Sequence, residues 1–184
     1  MEIALQNVLD EFKKIKRKLH SNRDRPNVSG VQKIVQWGQD KERGIQRKLG
    51  NYCESITFGT NIVKFIKGPN RFQSSRWNKI YPDLYQSLIE LALYVIPEDF
   101  EMLGLPNICV NKNLKCLPHN DCNKGDSIII AIGDYTGGRL ILHHSEDNLE
   151  YIDIKNKPFK FNGRKIKHST EDFIGDRWSI IYYT

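Results

Sequence analysis

A histidine and an aspartate two residues apart are the residues of this sequence best placed to do chemistry. They are His119 and Asp121, in the segment Leu-Pro-His-Asn-Asp. In an extended segment, side chains two residues apart point to the same face, so the imidazole and the carboxylate would converge on one point. A third ligand would come from His168, later in the chain. Two histidines and one carboxylate leave the remaining positions of a metal open, as in catalytic non-haem Fe(II) sites.

The spacing of His119 and Asp121 is a weak signal alone, because short strands produce it by chance. The alternative for His168 is a hydrogen-bonded core histidine. A zinc site built from cysteines ranks lower, because the sequence has no paired Cys-x-x-Cys spacing. The remaining histidines are interpreted as structural. The cysteines of the zinc alternative are Cys109, Cys116 and Cys122, and the histidines interpreted as structural are His20, His143 and His144.

An arginine and a serine near the end of the chain strengthen the metal hypothesis. Arg177 and Ser179 are also two residues apart, on an apolar segment that we expect to be the last strand. A guanidinium fork beside a hydroxyl suits the far carboxylate of a dicarboxylic acid. The alternative is a surface ion pair of Arg177 with Asp172 or Asp176.

Short strands separated by turns must position these residues. Eight strands in close succession after a helical segment predict an α+β protein, with a double-sheet jelly roll and N-terminal helices packed outside it. The predicted strands are Ile108–Lys112, Lys115–Asn120, Ser127–Ile132, Arg139–His143, Tyr151–Ile154, Phe159–Phe161, Lys165–His168 and Trp178–Tyr183.

The N-terminal half has helical periodicity in two places. Apolar residues spaced by three and four predict an amphipathic helix over residues 3–20, and Pro82 begins a predicted helix that runs to Ile96. Between them we expect a second helix from Val31 to Leu49, a strand from Ser55 to Phe65, and a polar loop from Gly68 to Arg76.

These elements indicate one domain that spans residues 1–184. Within it, residues 1–53 would form a basic helical extension and residues 54–184 the catalytic part. The length suffices to bury a core without disulfides.

Charge is unevenly distributed along the chain. The net charge is +6, yet residues 1–80 carry 17 Lys and Arg against 7 Asp and Glu, while residues 81–184 carry 11 against 15. A basic half joined to an acidic half suggests a polyanionic partner, and the alternative is a solvated surface. The candidate nucleic-acid contacts are Lys13, Lys14, Lys16, Arg17, Lys18, Arg71 and Arg76.

Composition excludes several protein classes. Hydrophobic residues make up 39% and charged residues 27%, as in soluble globular proteins. No apolar run is long enough to span a bilayer, and the N-terminus has no apolar signal region. The four cysteines have neither Cys-x-x-Cys spacing nor the density of a disulfide-rich protein. We therefore expect a reduced intracellular compartment, the nucleus or the cytoplasm.

Four segments of the sequence resemble a known enzyme family. They are similar to 2-oxoglutarate- and Fe(II)-dependent dioxygenases of the TET/JBP type, most of all to the compact algal, protist and viral versions. The likeness extends over residues 54–184, and Gly-Asp-Tyr-Thr-Gly-Gly is its most specific motif. The segments are Val110–Asp121, Ser127–Leu140, Lys157–Gly163 and His168–Ser179.

The resemblance implies a double-stranded β-helix and a set of site residues. Fe(II) would be bound by His119, Asp121 and His168. Arg177 with Ser179 would bind the distal carboxylate of 2-oxoglutarate. Two further residues are candidates for contact with its inner carboxylate or the substrate, and a third departs from the family pattern, where an acidic residue is expected after the Gly-Gly turn. These are Asn111, Asn113 and Arg139.

The activity implied by the resemblance is hydroxylation of the methyl group of 5-methylcytosine or thymine in nucleic acid, DNA rather than RNA. It would use Fe(II), 2-oxoglutarate and O2, with ascorbate as a reductant, and would require neither a membrane nor an obligate protein partner. The alternatives are a prolyl or other protein hydroxylase, an AlkB-like demethylase of N-alkylated bases, and a nucleic-acid-binding module with a vestigial metal site.

Overall fold

The computed structural model describes residues 1–16, 19, 28–29, 31–37, 46–52, 54–63, 71–100, 106–123 and 125–183. Its first part combines three helices with short strands. The elements are α1 (Glu2–Lys13), β1 (Val28–Ser29), β2 (Val31–Trp37), β3 (Gln46–Tyr52), β4 (Glu54–Phe58), β5 (Thr60–Val63), β6 (Arg71–Ser74), α2 (Arg76–Ile80) and α3 (Pro82–Val95). No helix in the described part of the chain has the length and apolar character needed to cross a membrane.

The second part of the chain consists of strands. They are β7 (Asn107–Lys112), β8 (Lys115–Cys116), β9 (Ser127–Gly137), β10 (Leu140–His143), β11 (Leu149–Ile152), β12 (Phe159–Phe161), β13 (Lys167–Thr170) and β14 (Phe173–Tyr183).

Apart from β8, which pairs with β1, these strands join with β4 to form two antiparallel sheets, and the chain passes repeatedly between them. The larger sheet has the order β12-β9-β14-β7-β4, and the smaller one the order β11-β10-β13. The segment that follows β8 joins the smaller sheet through a bridge between His119 and His168. Successive strands therefore pass from one sheet to the other and back, which is the winding of a double-stranded β-helix. The predicted fold class is confirmed.

The strand β14 shows how the sequence places one sheet between two layers. Its even-numbered residues Trp178, Ile180 and Tyr182 are buried in a core shared with α1 and α3. Its odd-numbered residues face the space between the two sheets, because neighbouring side chains of a strand point to opposite faces. A second, smaller core that includes Ala131 and Leu142 fills part of that space.

The helices pack behind the larger sheet, on the face away from the inter-sheet space. The ring of Phe12 in α1 stacks on Trp178 with centroids 4.0 Å apart. The hydroxyl of Tyr182 donates a hydrogen bond of 2.9 Å to the carbonyl of Leu88 in α3. Burial raises the pKa of Tyr182 far above its usual value, so this hydroxyl stays protonated. The prediction that N-terminal helices cover the roll is correct for α1 and α3.

The predicted helix from Val31 to Leu49 is wrong. Strands β2 and β3 form an antiparallel pair there, with Val31 opposite Tyr52 and Trp37 opposite Gln46. The β-branched residues of this segment fit a pleated strand, and its glycines disfavour a helix. The extension of residues 1–53 is thus partly helical and partly strand.

Other element boundaries also differ from expectation. Helix α1 ends at Lys13 rather than near residue 20. The strand predicted from Ser55 to Phe65 is divided at Gly59, whose φ of +100° and close contact with Asn107 suit only glycine. The region predicted as a polar loop holds β6 and the start of α2. Strands β9 and β14 are both longer than predicted, at 11 residues each.

Candidate metal centre and cosubstrate cavity

The smaller sheet and the turn before β13 bring His119, Asp121 and His168 together. Two backbone hydrogen bonds pair the histidines, from the N–H of His119 to the carbonyl of His168 at 3.0 Å and the reverse at 2.9 Å. The Nε2 atom of His119 lies 3.5 Å from Oδ1 of Asp121, and that of His168 lies 3.7 Å from Oδ2. All three ligand atoms lie within 4.8 Å of one another, and no other such group occurs among the described residues.

Backbone carbonyls orient both imidazole rings. Nδ1 of His119 lies 2.7 Å from the carbonyl oxygen of Leu117, and Nδ1 of His168 lies 3.1 Å from that of Ile166. A carbonyl only accepts hydrogen bonds, so each Nδ1 carries the proton and each Nε2 keeps its lone pair for a metal. Burial lowers the pKa of His168, which keeps this ring neutral.

A glycine closes the third side of the triad. The backbone N–H of Asp121 donates a 2.9 Å hydrogen bond to the carbonyl of Gly163. A Cβ atom at Gly163 would lie 2.4 Å from Oδ2 of Asp121 and 3.1 Å from Cε1 of His168. The chain therefore leaves room for the two ligands against bare backbone. Neutral imidazoles and a carboxylate, held this way, fit Fe(II).

A cavity of about 440 Å³ connects the triad with the inner face of the larger sheet. Its lining includes the three triad residues together with Arg177 and Ser179. The sequence-predicted metal ligands and the predicted carboxylate-binding pair thus line one cavity.

Arg177 is a buried cation with most of its donors unused. It is 2% exposed, and its Nε donates to the carbonyl of Gly138 at 3.2 Å. Its guanidinium lies 5.6 Å from the ring centre of Tyr135 and 5.5 Å from that of Phe173. No carboxylate among the described residues forms an ion pair with it, and burial lowers its pKa. An anion bound in the cavity would satisfy the remaining donors of such a group.

Tyr135 adds a second polar group at this end of the cavity. Its hydroxyl is buried and has no partner at full hydrogen-bond geometry within the described residues. Burial raises its pKa, while the charge and the nearby guanidinium N–H groups of Arg177 oppose that rise. A ligand carboxylate would satisfy both residues. The alternative of a surface ion pair for Arg177 does not hold, since Asp172 pairs with Lys115 and Asp176 accepts a hydrogen bond from Asn113.

The two candidate asparagines have different surroundings. Asn111 lines the cavity and donates to the hydroxyl of Ser179 at 3.4 Å. Asn113 is exposed and lies outside the cavity lining, with a φ of +48°. Its Oδ1 accepts from the backbone N–H of Arg177 at 2.7 Å, and its own N–H donates to the carbonyl of Arg177 at 2.8 Å. Asn113 therefore holds the backbone of Arg177 in place.

Sequence reasoning did not select Gly163 or Tyr135. The alternation of β9 could have identified Tyr135, because it shares a parity with Ser127, Ile129 and Ala131, which line the cavity or its core. No local signal marks Gly163, since its role arises from a contact with two distant segments.

The remaining sequence candidates lie outside the triad. Arg139 forms a two-pronged ion pair with Glu171, at 2.8 and 2.5 Å, and faces solvent, so the family departure at this position does not alter the cavity. The ring of His143 forms a hydrogen bond with the hydroxyl of Ser169, and the ring of His144 forms one with the carboxylate of Glu150. The three thiols predicted as the weaker zinc site line the cavity without forming a metal-binding group among the described residues.

The basic residues at the end of α1 lie on the side of the larger sheet that the helices cover. Lys13 pairs with Asp10 at 2.8 Å, and Lys14 with Glu11 at 2.5 Å. Of the other predicted nucleic-acid contacts, Arg76 lies 4.8 Å from the ring centre of Trp77 and Arg71 begins β6. Arg17, Lys18 and His20 fall outside the described residues.

Comparison with known proteins gives only structural neighbours. No family model and no curated protein matches the sequence. OsALKBH1 aligns at 12% identity and a TM-score of 0.41, over 71% of this chain and 77% of its own. A 2OG-Fe(II) oxygenase-family oxidoreductase from Burkholderia pseudomallei aligns at 14% and 0.48, over 84% and 72%. A Trichoplax adhaerens prolyl hydroxylase, in complex with a hypoxia inducible factor peptide fragment, aligns at 15% and 0.43, over 98% and 76%.

Proposed function

We propose that this protein is a 2-oxoglutarate- and Fe(II)-dependent dioxygenase that hydroxylates the methyl group of a 5-methylpyrimidine, 5-methylcytosine or thymine, in nucleic acid. The observation that carries the oxygenase assignment is the pairing, in one cavity, of the His119–Asp121–His168 group with the charge-unpaired, buried Arg177. A metal group alone would also fit other chemistry, and the buried cation supports a dicarboxylate cosubstrate.

The protein's residues in this reaction bind and orient. Nε2 of His119, Nε2 of His168 and the Asp121 carboxylate hold the metal, with the rings fixed by their carbonyl partners. Arg177 binds the distal carboxylate of 2-oxoglutarate through its unused N–H donors, with the Tyr135 hydroxyl beside it. Bound Fe(II) with 2-oxoglutarate and O2 supplies the oxidation, which yields succinate, CO2 and a hydroxylated C–H bond. The buried position of His168 requires the reacting carbon to enter the cavity.

The substrate assignment rests on sequence similarity and on charge. The Gly-Asp-Tyr-Thr-Gly-Gly motif resembles that of the TET/JBP-type enzymes. In the structure it forms the end of β9, where Tyr135 and the glycines surround Arg177. A methyl group on a base in a duplex reaches a buried metal only if the nucleotide is flipped out of the stack.

Succinate production and nucleoside mass spectrometry test this function. Protein supplied with Fe(II), 2-oxoglutarate, ascorbate and methylated DNA should release succinate and yield hydroxymethylated nucleosides. His119→Ala, Asp121→Ala and His168→Ala should each abolish turnover while folding is kept, because an open catalytic site is not a structural staple. The matched control is His144→Ala, at an exposed histidine paired with Glu150.

Each alternative has its own outcome in this experiment. Succinate release that depends on a peptide would favour a protein hydroxylase, and loss of an N-alkyl group would favour an AlkB-like demethylase. Full activity of Asp121→Ala would remove that residue from the metal site. No 2-oxoglutarate turnover under any condition would leave the binding module as the better interpretation.

A further inference from the structure

The turn between β12 and β13, together with the residues around β12, forms a basic segment within the acidic half of the chain. Residues 157–167 contain five Lys or Arg and no Asp or Glu, although residues 81–184 as a whole carry 11 against 15. Two of the five are offset by carboxylates, since Lys157 pairs with Asp153 and Lys160 with Asp99. The other three are exposed and have no ion pair among the described residues. They are Arg164, Lys165 and Lys167.

This turn lies at an edge of the larger sheet that lines the cavity, next to the His119–Asp121–His168 group. Phe161, Ser127 and Tyr183 are register partners across the larger sheet, and all three line the cavity. Strand β12 ends at Phe161, so the turn that follows begins at this edge. It leads directly into His168 on β13.

Backbone contacts fix the turn to the metal-ligand segment. The carbonyl of Arg164 accepts a 3.1 Å hydrogen bond from the side chain of Asn120, which stands between two metal ligands. The preceding Gly163 accepts the backbone N–H of Asp121. The N–H of Lys165 donates to the side-chain oxygen of Asn162 at 3.1 Å. Arg164 and Lys165 are therefore exposed cations on a turn whose position relative to the metal group is set.

Two carboxylates of the described residues face this turn from outside it: Asp121, whose Oδ2 lies beside Gly163, and Asp126. Asp126 accepts a hydrogen bond of 2.9 Å from the side chain of Asn162. That contact engages a neutral amide, and Asp126 forms no ion pair with the turn's cations in the described structure. Against these two carboxylates stand Arg164, Lys165 and Lys167, so an excess of positive charge remains at this edge.

We infer that this turn binds the phosphate backbone of the nucleic-acid substrate on either side of the target nucleotide, through Arg164 and Lys165. The inference rests on the proposed function. A flipped base can enter the cavity while its flanking phosphates, charged and hydrated, stay at the rim. Arginine and lysine without carboxylate partners are the groups that contact phosphates, and such contacts position the substrate without reading its sequence. Helix α1, by contrast, packs behind the larger sheet through Phe12.

The test compares two double variants that remove the same total charge. Arg164→Gln with Lys165→Gln removes the exposed pair, and Lys157→Gln with Lys160→Gln removes the carboxylate-paired cations of the same segment. Binding of a methylated oligonucleotide is measured by fluorescence anisotropy at several salt concentrations. The first variant should lower the slope of log affinity against log salt by about 1.4–1.8, since each phosphate contact contributes about 0.7–0.9. The control should keep the wild-type slope.

Kinetics separate a positioning role from a catalytic one. In the first variant the KM for the oligonucleotide should rise several-fold at fixed salt, while kcat at saturation stays at the wild-type value. Equal salt slopes in all three proteins would overturn the proposal, and so would equal decreases in both variants, which would indicate only a net-charge effect. Wild-type protein that ignores oligonucleotides and is stimulated by an acidic peptide would also overturn it.

Failure of this inference is distinguishable from failure of the proposed function. 2-Oxoglutarate turnover without any nucleic acid, and 2-oxoglutarate binding with an inert divalent metal, depend on the triad and Arg177 and not on the turn. If both persist in wild type and both variants while the salt slopes are equal, the oxygenase assignment stands and the turn is not the phosphate site. If wild type lacks both, the proposed function itself fails.

Discussion

The two faces of β14 are similarly buried but differ in polarity and in what they contact. The residues that face the helices, Trp178, Ile180 and Tyr182, are apolar or aromatic and between 0% and 7% exposed. Their neighbours on the opposite face include Arg177 and Ser179, which are polar, equally buried, and border a cavity. Burial of the first set releases apolar surface from water and stabilises the fold. Burial of the second set costs free energy, which the hydrogen bonds to Gly138 and Asn111 offset only in part and a bound carboxylate would offset further.

This difference indicates that one strand separates stability from chemistry at single-residue resolution. Substitutions on the helix side should lower the free energy of unfolding and leave ligand affinity per folded molecule unchanged. Substitutions on the cavity side should do the reverse.

Removing the buried cation should give the largest effect and affect only ligand binding. Arg177→Met leaves a buried carboxylate of 2-oxoglutarate without its partner, which costs about 3–5 kcal/mol, or roughly a hundredfold or more in affinity. Calorimetry with an inert divalent metal measures the dissociation constant. Arg139→Met is the matched control. Arg139 directly follows Gly138, whose carbonyl accepts a hydrogen bond from Arg177, but it pairs with Glu171 at the surface. A dissociation constant unchanged by Arg177→Met would mean that another group holds the carboxylate.

Truncating two adjacent isoleucines sharpens the comparison of the two faces. Ile180 is fully buried among the helices, so Ile180→Ala should lower the free energy of unfolding by about 2–5 kcal/mol. Ile181, on the cavity side, is only partly buried, and Ile181→Ala should cost about 1 kcal/mol. Denaturant titration measures both, and 2-oxoglutarate affinity is measured under native conditions. Equal losses of stability would show that the cavity face is packed as tightly as the helix face.

Neutralising the lysines at the end of α1 and just after it should give the smallest effect. Lys13 and Lys14 already pair with acidic neighbours on the same helix, and the helix lies behind the sheet. Changing Lys13, Lys14 and Lys16 to Gln should therefore lower the salt slope of DNA binding by less than the double variant of the β12–β13 turn does. A larger decrease than in the turn variant would place the nucleic acid on the helical side and contradict the comparison.

Strand patterns in the catalytic half were readable from the sequence because they obey local rules. The alternation of β14 predicted that Arg177 and Ser179 share a face, and the spacing of His119 and Asp121 predicted their convergence. Both pairs depend only on the two-residue period of an extended chain. The structure brings these pairs and His168 to one cavity, as expected from the sequence.

The features that sequence reasoning missed depend on contacts between distant segments. Val31 to Leu49 has apolar residues compatible with either a helix or strands, and its pairing of β2 with β3 decides the outcome. The sequence left the choice between Asn111 and Asn113 open. Which of the two side chains points into the cavity depends on where β7 ends, and the sequence does not fix that residue. Asn113 lies just past β7 in a left-handed conformation, so it turns toward the Arg177 backbone instead of the cavity.

The bare backbone at Gly163 has a consequence for how this sequence can drift. Any side chain there would collide with Asp121 and His168. Every substitution would therefore displace two candidate metal-binding residues, although Gly163 itself binds no metal. Its neighbour Arg164 is exposed and sterically free to vary. A library of all single substitutions, selected for retained fold and metal binding, should thus show an intolerant codon at Gly163 next to a permissive one at Arg164, although Gly163 has no reactive group. Its pattern of tolerance would match that of the ligands it contacts and not that of the turn to which it belongs.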